Sequence, residues 1–492
     1  MRITPFIAVG LFGWTLTRMG DTRDGTPQSK AVSSTPQSST PQSHAAKAGK
    51  MDIELITLNP GHFHAALIQR EHYPRASPLV HVYAPLGQDL IDHLQRVARF
   101  NQRKDKPTHW SAEVHAGPQP LERMLREMPG NVVVISGRNR GKIDSIRASV
   151  GAGLQTLADK PWIIDSADLG KLQQTLDQAD DKGLVAFDIM TERFEVTSML
   201  QRELVSDPAV FGRVDPGSPD DPAVYMESVH HLMKTVAGAP NIRPSWFFDS
   251  NEQGEGLSDI GTHLVDLTHW TLFPEQALDA RADLELVAAQ RWPTTIPLAD
   301  FKRVTGEKEF PSSLAKNVHA DVLDCFCNTW LSYKVRQVHV QLNVIWDWEA
   351  PAGAGDTHFA FYRGSKARVE VRQGAAQKWR TELYVVPREP ALKAEVKSAL
   401  QRRIELLAAR YPGLSAKDEG GELHVLIPDR LRTTHEEHFG EVARRFFEYL
   451  ARPKSLPAWE KPNMLAKYWV TTKGTELSHK SPPRAAARRA PR

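Results

Sequence analysis

The amino-acid sequence predicts an α/β protein: a doubly wound parallel sheet, then an α+β part built on a large, open, mostly antiparallel sheet. Three observations carry that expectation. Between Ile53 and Ile189 short apolar runs alternate with helical stretches, the rhythm of a parallel sheet with helical crossovers. Between Val335 and Trp348 (VRQVHVQLNVIWDW) polar and apolar residues alternate, as in a long strand with one covered face. The 492 residues are about three times the ~150-residue prior for one domain, so more than one folded unit is expected.

Taken in order, Ile53–Leu58 is the first strand, turned by Asn59-Pro60-Gly61 into a helical stretch from His62 to Glu71. Leu79–Tyr83 is a second strand, closed by Ala84-Pro85. Leu121–Glu127 reads as helix, Asn131–Ser136 (NVVVIS) as a strand ending at Gly137, and Lys142–Ala152 as helix. Leu154–Leu157 and Leu184–Ile189 are strands around the amphipathic helix Leu169–Lys182. These runs are apolar on both faces, so both sides of the sheet need a helical cover. Further on, His358–Tyr362 and Ala367–Val371 flank Arg363–Lys366 as a hairpin, and Thr381–Val386 adds a strand. Ala391–Tyr411 and His435–Ala451 read as helices, the latter stopping before Pro453. The expected division is a nucleotide-type sheet domain over 51–190 and an α+β domain over 191–478.

The ends differ from this body. Ile3–Thr17 is an apolar run of 15 residues, short of the ~20 that span a bilayer and of the length of a signal-peptide core. Residues 1–20 thus read as a signal-like segment. Residues 21–50 read as a flexible tether in which Thr-Pro-Gln-Ser recurs at Thr26, Thr35 and Thr40. Export or a membrane tether through residues 3–17 is one expectation; a cytoplasmic protein starting at Met51 is the other. Residues 1–50 carry six basic and two acidic side chains, and 479–492 five basic and none acidic. The 62 basic and 59 acidic residues of the whole chain therefore become 51 and 57 over Met51–Ser478. An acidic body disfavours a nucleic-acid binder, and the tail 479–492 reads as disordered. Two cysteines, Cys325 and Cys327, exclude a disulfide framework and read as small buried residues on one face of a strand.

In open parallel sheets ligands bind beyond the carboxyl ends of the strands. After the first strand stand Asn59-Pro60-Gly61-His62-Phe63-His64-Ala65-Ala66, with one glycine where a dinucleotide fingerprint has three. No acidic residue ends the second strand; Asp89 is the first carboxylate after it. After the strand at Leu154 stand Ala158-Asp159-Lys160-Pro161-Trp162, where Lys-Pro favours an extended or cis turn. Far downstream stands Gly254-Glu255-Gly256-Leu257-Ser258-Asp259-Ile260-Gly261-Thr262-His263-Leu264-Val265-Asp266. Asp259 and His263 are four apart and share one face of a helix starting near Ser258. Taken alone they also suit a helix cap and a packed histidine. His263, Asp266 and His269, or His435 and His438, form no recognised metal spacing, and no metal is expected.

The Asp159-Lys160-Pro161 and Asp259-x-Gly261-x-His263-x-x-Asp266 segments resemble the two signature segments of the Gfo/Idh/MocA oxidoreductases, with Asp159 where that family has Glu. His435-Glu436-Glu437-His438-Phe439, Pro457-Ala458-Trp459-Glu460 and Asn463–Tyr468 resemble a subgroup with its own C-terminal domain, which also carries Pro-Gly-His-Phe-His-Ala-Ala in place of the glycine fingerprint. The resemblance implies a Rossmann-type first sheet binding NAD or NADP. Cofactor contacts fall to Asn59, Gly61, His62, His64, Gly137, Asn139, Asp159, Lys160 and Pro161. Lys160 and His263 handle a hydroxyl proton while hydride leaves a carbohydrate carbon, with Asp259 orienting them. His230, His231, Arg243 and Trp246 are candidates for the sugar pocket, and Arg138 and Lys142 depart from the family's usual turn. A homo-oligomer, dimer or tetramer, is expected through the open sheet. Two alternatives stay open: a glycosidase or lyase that oxidises its sugar transiently with no net redox, and a non-enzymatic sugar-binding protein.

Overall fold

The computed structural model describes residues 52–236 and 239–481. Strands Ile53–Leu58, Ala76–Ala84, Ser111–Ala116, Val132–Ile135, Gln155–Asp159 and Ala186–Ile189 (β1–β6) form one sheet in the order β3-β2-β1-β4-β5-β6. Every neighbouring pair is parallel. The order reverses between β1 and β4, so a crevice opens beyond their carboxyl ends. Leu55, Val132, Val134 and Leu157 pack on one face, with Phe439, Val442 and Phe446 of the His435–Ala451 helix. Ile56, Val133, Ile135 and Ala158 pack on the other, with Ile143, Leu172 and Tyr468. That alternation follows from successive strand side chains pointing to opposite faces. Two helices from the end of the chain, His435–Ala451 and Glu460–Lys480, thus supply cover to the first sheet.

The second sheet has ten strands. Its main path runs Leu284–Pro297, Val322–Val335, Val338–Glu349, Val224–Met233, Thr357–Arg363, Ala367–Gln373, Glu382–Pro387, Leu423–Leu426 and Ser415–Asp418. All its pairings are antiparallel except Val338–Glu349 with Val224–Met233. Leu331, Tyr333, Leu342, Ala360 and Val369 share an apolar core with Leu200, Leu204, Leu264 and Val265. The helix Ile260–Leu272 is consequently buried almost throughout its length.

Three expectations change. The single strand expected over Val335–Trp348 is the second arm of a hairpin, turned at Arg336, whose φ of 54° is left-handed. The stretch from His62 to Glu71 holds only a four-residue α-helix, His64–Leu67, followed by a 3-10 turn at Ile68–Arg70. Ser111–Ala116 is an edge strand with five of its six residues exposed, so no apolar run marks it. The expected signal-like segment, tether and basic tail lie outside the described residues, and no described helix is long and apolar enough to cross a membrane.

Candidate active site

The site forms where the carboxyl end of β5 meets the entry to the Ile260–Leu272 helix. Asp159 ends β5, and the Lys160–Pro161 peptide that follows is cis. Lys160 Nζ donates to Asp259 Oδ1 at 2.7 Å and to the Asp259 carbonyl at 3.2 Å. Asp259 occupies the N-cap position, yet its side chain caps no backbone N–H; the carboxylate is turned to the lysine instead. Burial pushes the Asp259 carboxyl up, but the Lys160 charge and hydrogen bond outweigh it and hold the group below its ordinary value. The Gly-rich entry is required by close approach: a Cβ on Gly256 would fall 2.1 Å from the Cys327 carbonyl oxygen. One turn along the helix, His263 is buried, and its Nδ1 has no hydrogen-bond partner among the described residues. Burial, with the nearby Lys160 charge, lowers its pKa to about 4, so the ring is neutral at pH 7.

On the nucleotide side, His62 Nδ1 and His64 Nδ1 lie 3.1 and 2.8 Å from Asp159 Oδ2, and Ser136 Oγ donates to the same oxygen at 3.0 Å. Burial works against ionisation of Asp159, but the two histidines hold its carboxyl well below the usual range. A Cβ on Gly137 would sit 2.4 Å from the Asn59 carbonyl oxygen, so glycine lets the loops after β1 and β4 touch. Asn59 Oδ1 is buried without a partner among the described residues. Asp89, from the helix Gln88–Gln102, lies against Gly61, its Oδ2 3.0 Å from where a Cβ would be. An acidic group beside the first turn suits the adenosine ribose of a dinucleotide. The sequence gives it no role because Pro85-Leu86-Gly87-Gln88 separates it from the strand end.

Other candidates are already engaged. The Asn139 side chain donates to the Gln253 carbonyl at 2.7 Å, and the Asn139 and Arg140 N–H groups bond the Glu252 carbonyl, docking this loop onto the catalytic entry. Lys142 Nζ donates to Asn139 Oδ1 at 2.6 Å and to the Asp159 carbonyl at 3.0 Å; burial lowers its pKa to about 8. Arg243 donates to the Leu232 and His231 carbonyls and lies over Phe247 and Trp346. Trp246 is buried, with the Arg138 guanidinium over its ring. His230 and His231 both face Asp356, at 3.3 and 3.2 Å, with Lys234 at 2.8 Å. Asp356 stands alone in its loop and gave no signal in the sequence. Neither did Glu192, whose Oε1 lies 3.5 Å from His435 Nδ1. Burial and the Glu192 contact pull His435 in opposite directions, and its pKa ends above the ordinary histidine value. A small cavity beside Asp259 is lined by Phe247, Phe248, Cys325, Cys327 and Trp346. The cysteines are free thiols, Cys325 buried and Cys327 partly so.

Behind the site stands a second charge cluster. Arg193 forks onto Asp266 at 2.6 and 2.7 Å and reaches Glu460 at 2.9 Å. Lys467 Nζ donates to Asp188 Oδ2 at 2.6 Å and to Asp266 Oδ1 at 3.2 Å, and Tyr468 donates to Asp188 at 3.2 Å. The last aspartate of the helical signature is therefore part of the scaffold.

The parallel sheet, with its switch point between β1 and β4 and Lys160 just beyond the neighbouring β5, has the architecture of a nucleotide-binding fold. The profile of the family described as "Putative oxidoreductase C terminal domain" matches residues 200–479. A crystal structure described as a "putative oxidoreductase" from Parabacteroides merdae is 44% identical, covering 88% of this chain and 99% of that one, with a TM-score of 0.85. The chain belongs to this family of oxidoreductases, which is of the Gfo/Idh/MocA type. Levoglucosan dehydrogenase in complex with NADH and L-sorbose shares the fold at 12% identity, covering 87% of this chain and 97% of that one, with a TM-score of 0.55. So does a "putative oxidoreductase" from Thermotoga maritima, at 11% identity, 87% and 98% coverage and the same TM-score of 0.55. No curated protein sequence matches the chain significantly.

Proposed function

We propose that this oxidoreductase binds NAD or NADP and acts on a hydroxyl of a sugar, cyclitol or glycoside. The observation that carries the reading is the buried Lys160–Asp259 pair with neutral His263 one turn away. It is supported by a family member's fold-mate whose structure holds NADH and a sugar. The nicotinamide, when bound, supplies the hydride acceptor. Asp259 takes two N–H groups of Lys160, on its carboxylate and its carbonyl, and fixes the direction of the ammonium, leaving one donor for a substrate hydroxyl. His263, neutral and with one nitrogen unpartnered, is ready to take the hydroxyl proton. Asn59, Gly61 and Gly137 shape the crevice, and Asp89 beside Gly61 favours the free ribose of NAD over the 2′-phosphate of NADP. Phe247, Trp346 and Arg243 offer a flat wall for a sugar face.

The Glu192–His435 pair favours a second reading, because simple hydride transfer leaves it without a task. A histidine whose pKa is raised by a carboxylate neighbour suits proton donation to a departing glycosidic oxygen. The sugar would then be oxidised, cleaved by elimination and reduced again.

The test uses purified full-length protein, with denatured samples analysed for released dinucleotide and glycosides screened for turnover. Lys160→Ala is expected to abolish turnover while dinucleotide binding and the melting temperature persist; normal turnover in that variant refutes the assignment. Sugar release without net cofactor reduction selects the second reading over the first.

A further inference from the structure

The loop after β1 lacks the usual means of holding a diphosphate. Its Gly61 N–H is bonded to the Asn59 carbonyl at 2.8 Å and its His62 N–H to the Ser136 carbonyl at 3.2 Å. The α-helix behind it has four residues, too few to present a useful dipole. In place of glycines the loop contributes two imidazoles, and these converge on the carboxylate that ends β5.

The convergence is lopsided. Asp159 Oδ2 receives His62, His64 and Ser136 together, while Oδ1 is buried with no partner among the described residues. One ring nitrogen from each of His62 and His64 and an Asp159 oxygen lie within 4.8 Å of one another. The two imidazole–carboxylate separations, 3.1 and 2.8 Å, approach the ~3.3 Å edge of a tetrahedral site with ~2.0 Å bonds. His62 is partly exposed, so one side of the trio is open to solvent. Two imidazoles and one carboxylate suit a first-row divalent ion such as zinc better than calcium or magnesium.

We propose that His62, His64 and Asp159 form a divalent-cation site at the mouth of the crevice. Binding shifts each imidazole proton from Nδ1 to Nε2, freeing Nδ1 as the ligand with no net proton released. Ser136 then holds the carboxylate from behind, as an outer-shell donor. Lys142 and Lys160 add positive charge nearby, but each is tied up, Lys142 on the Asp159 carbonyl and Lys160 on Asp259. Resting on the dinucleotide reading, the cation's open positions face the diphosphate and take over the task of the missing glycine loop.

The experiment titrates zinc chloride into chelator-treated, untagged full-length protein by calorimetry, and then titrates NAD⁺ with and without zinc. One zinc per chain is expected, weakened about tenfold or more in His62→Gln and His64→Gln. His81→Gln serves as control, because His81, Glu113 and His115 form a second trio of suitable donors away from the crevice. An isotherm without zinc heat, or one lost in His81→Gln and kept in His62→Gln, overturns the site. Circular dichroism separates a misfolded His64→Gln from a true loss, and the half-exposed His62 makes the companion variant tolerant. Zinc is expected to tighten NAD⁺ by about tenfold; zinc bound with no change in NAD⁺ affinity overturns the diphosphate role. Failure of NAD⁺ to bind in either state counts against the dinucleotide reading alone, since the zinc isotherm is recorded without it.

Discussion

Two clusters of buried charge meet the same helix, one at Asp259 and one two turns later at Asp266, and they are built to opposite ends. Around Asp266 the side-chain groups are matched: the Arg193 fork, Lys467, Asp188, Glu460 and Tyr468 close on one another. Around Asp259 the matching stops short. Lys160 keeps one spare N–H donor, while His263 Nδ1 and Asp159 Oδ1 are buried without partners among the described residues. A satisfied network of charged groups holds elements together, whereas a donor left spare at the mouth of a crevice is available to a ligand. The Asp266 cluster ties the end of β6, the signature helix and the final helix into one frame; the Asp259 cluster uses that frame to aim a lysine and a histidine.

The comparison breaks if substitutions in the two clusters act alike. The largest effect expected is on turnover: His263→Asn should lower it by about 10²- to 10⁴-fold while the urea midpoint hardly moves. Asp266→Asn should do the reverse, costing about 3–5 kcal/mol of stability by leaving Arg193 and Lys467 buried without their shared partner, read from urea unfolding. Acid should also weaken the fold. Burial lowers the pKa of His263 to about 4, of His269 to about 3 and of His93 to about 4. Below the unfolded value near 6.5, the unfolded chain takes up protons that these native rings refuse. Stability is therefore full above about pH 6.5 and falls as the pH drops toward 4, by about 2 kcal/mol per histidine at pH 5. Unfolding curves at pH 7.5 and pH 5 check this. The smallest effect is local: Thr434 and Glu437 form a capping box on the His435–Ala451 helix, and Thr434→Ala should cost about 1 kcal/mol.

How much of this was legible in the sequence follows from where the signal resides. β1, β4 and β5 contain buried apolar runs, so a parallel sheet and a ligand site beyond its carboxyl ends could be read directly, while the order of the strands in the sheet could not. Lys160, Asp259 and His263 lie in two compact segments whose spacing is visible. β3 left no trace because an edge strand with exposed side chains has no pattern to show. The Val335–Trp348 run misled because a two-residue turn at Arg336 interrupts neither its alternation nor its composition. Asp356 and Glu192 were missed, and Asp89 was noticed without a role, for another reason: each is an ordinary acid whose meaning comes from partners brought by a different element. Three-dimensional convergence also made His62, His64 and Asp159 a cluster, where spacing along the chain gave no hint of a cation site.

The account stands most directly on the rate at which bound cofactor is reduced. Rapid mixing of NAD⁺-saturated protein with a turned-over glycoside, followed at the reduced-nicotinamide band, should show a burst in the native protein. In Lys160→Met, with unchanged NAD⁺ affinity and melting temperature, reduction should be about 10²- to 10⁴-fold slower. A burst of equal rate in the variant would contradict the role given to Lys160 and, with it, the division of labour between the two clusters.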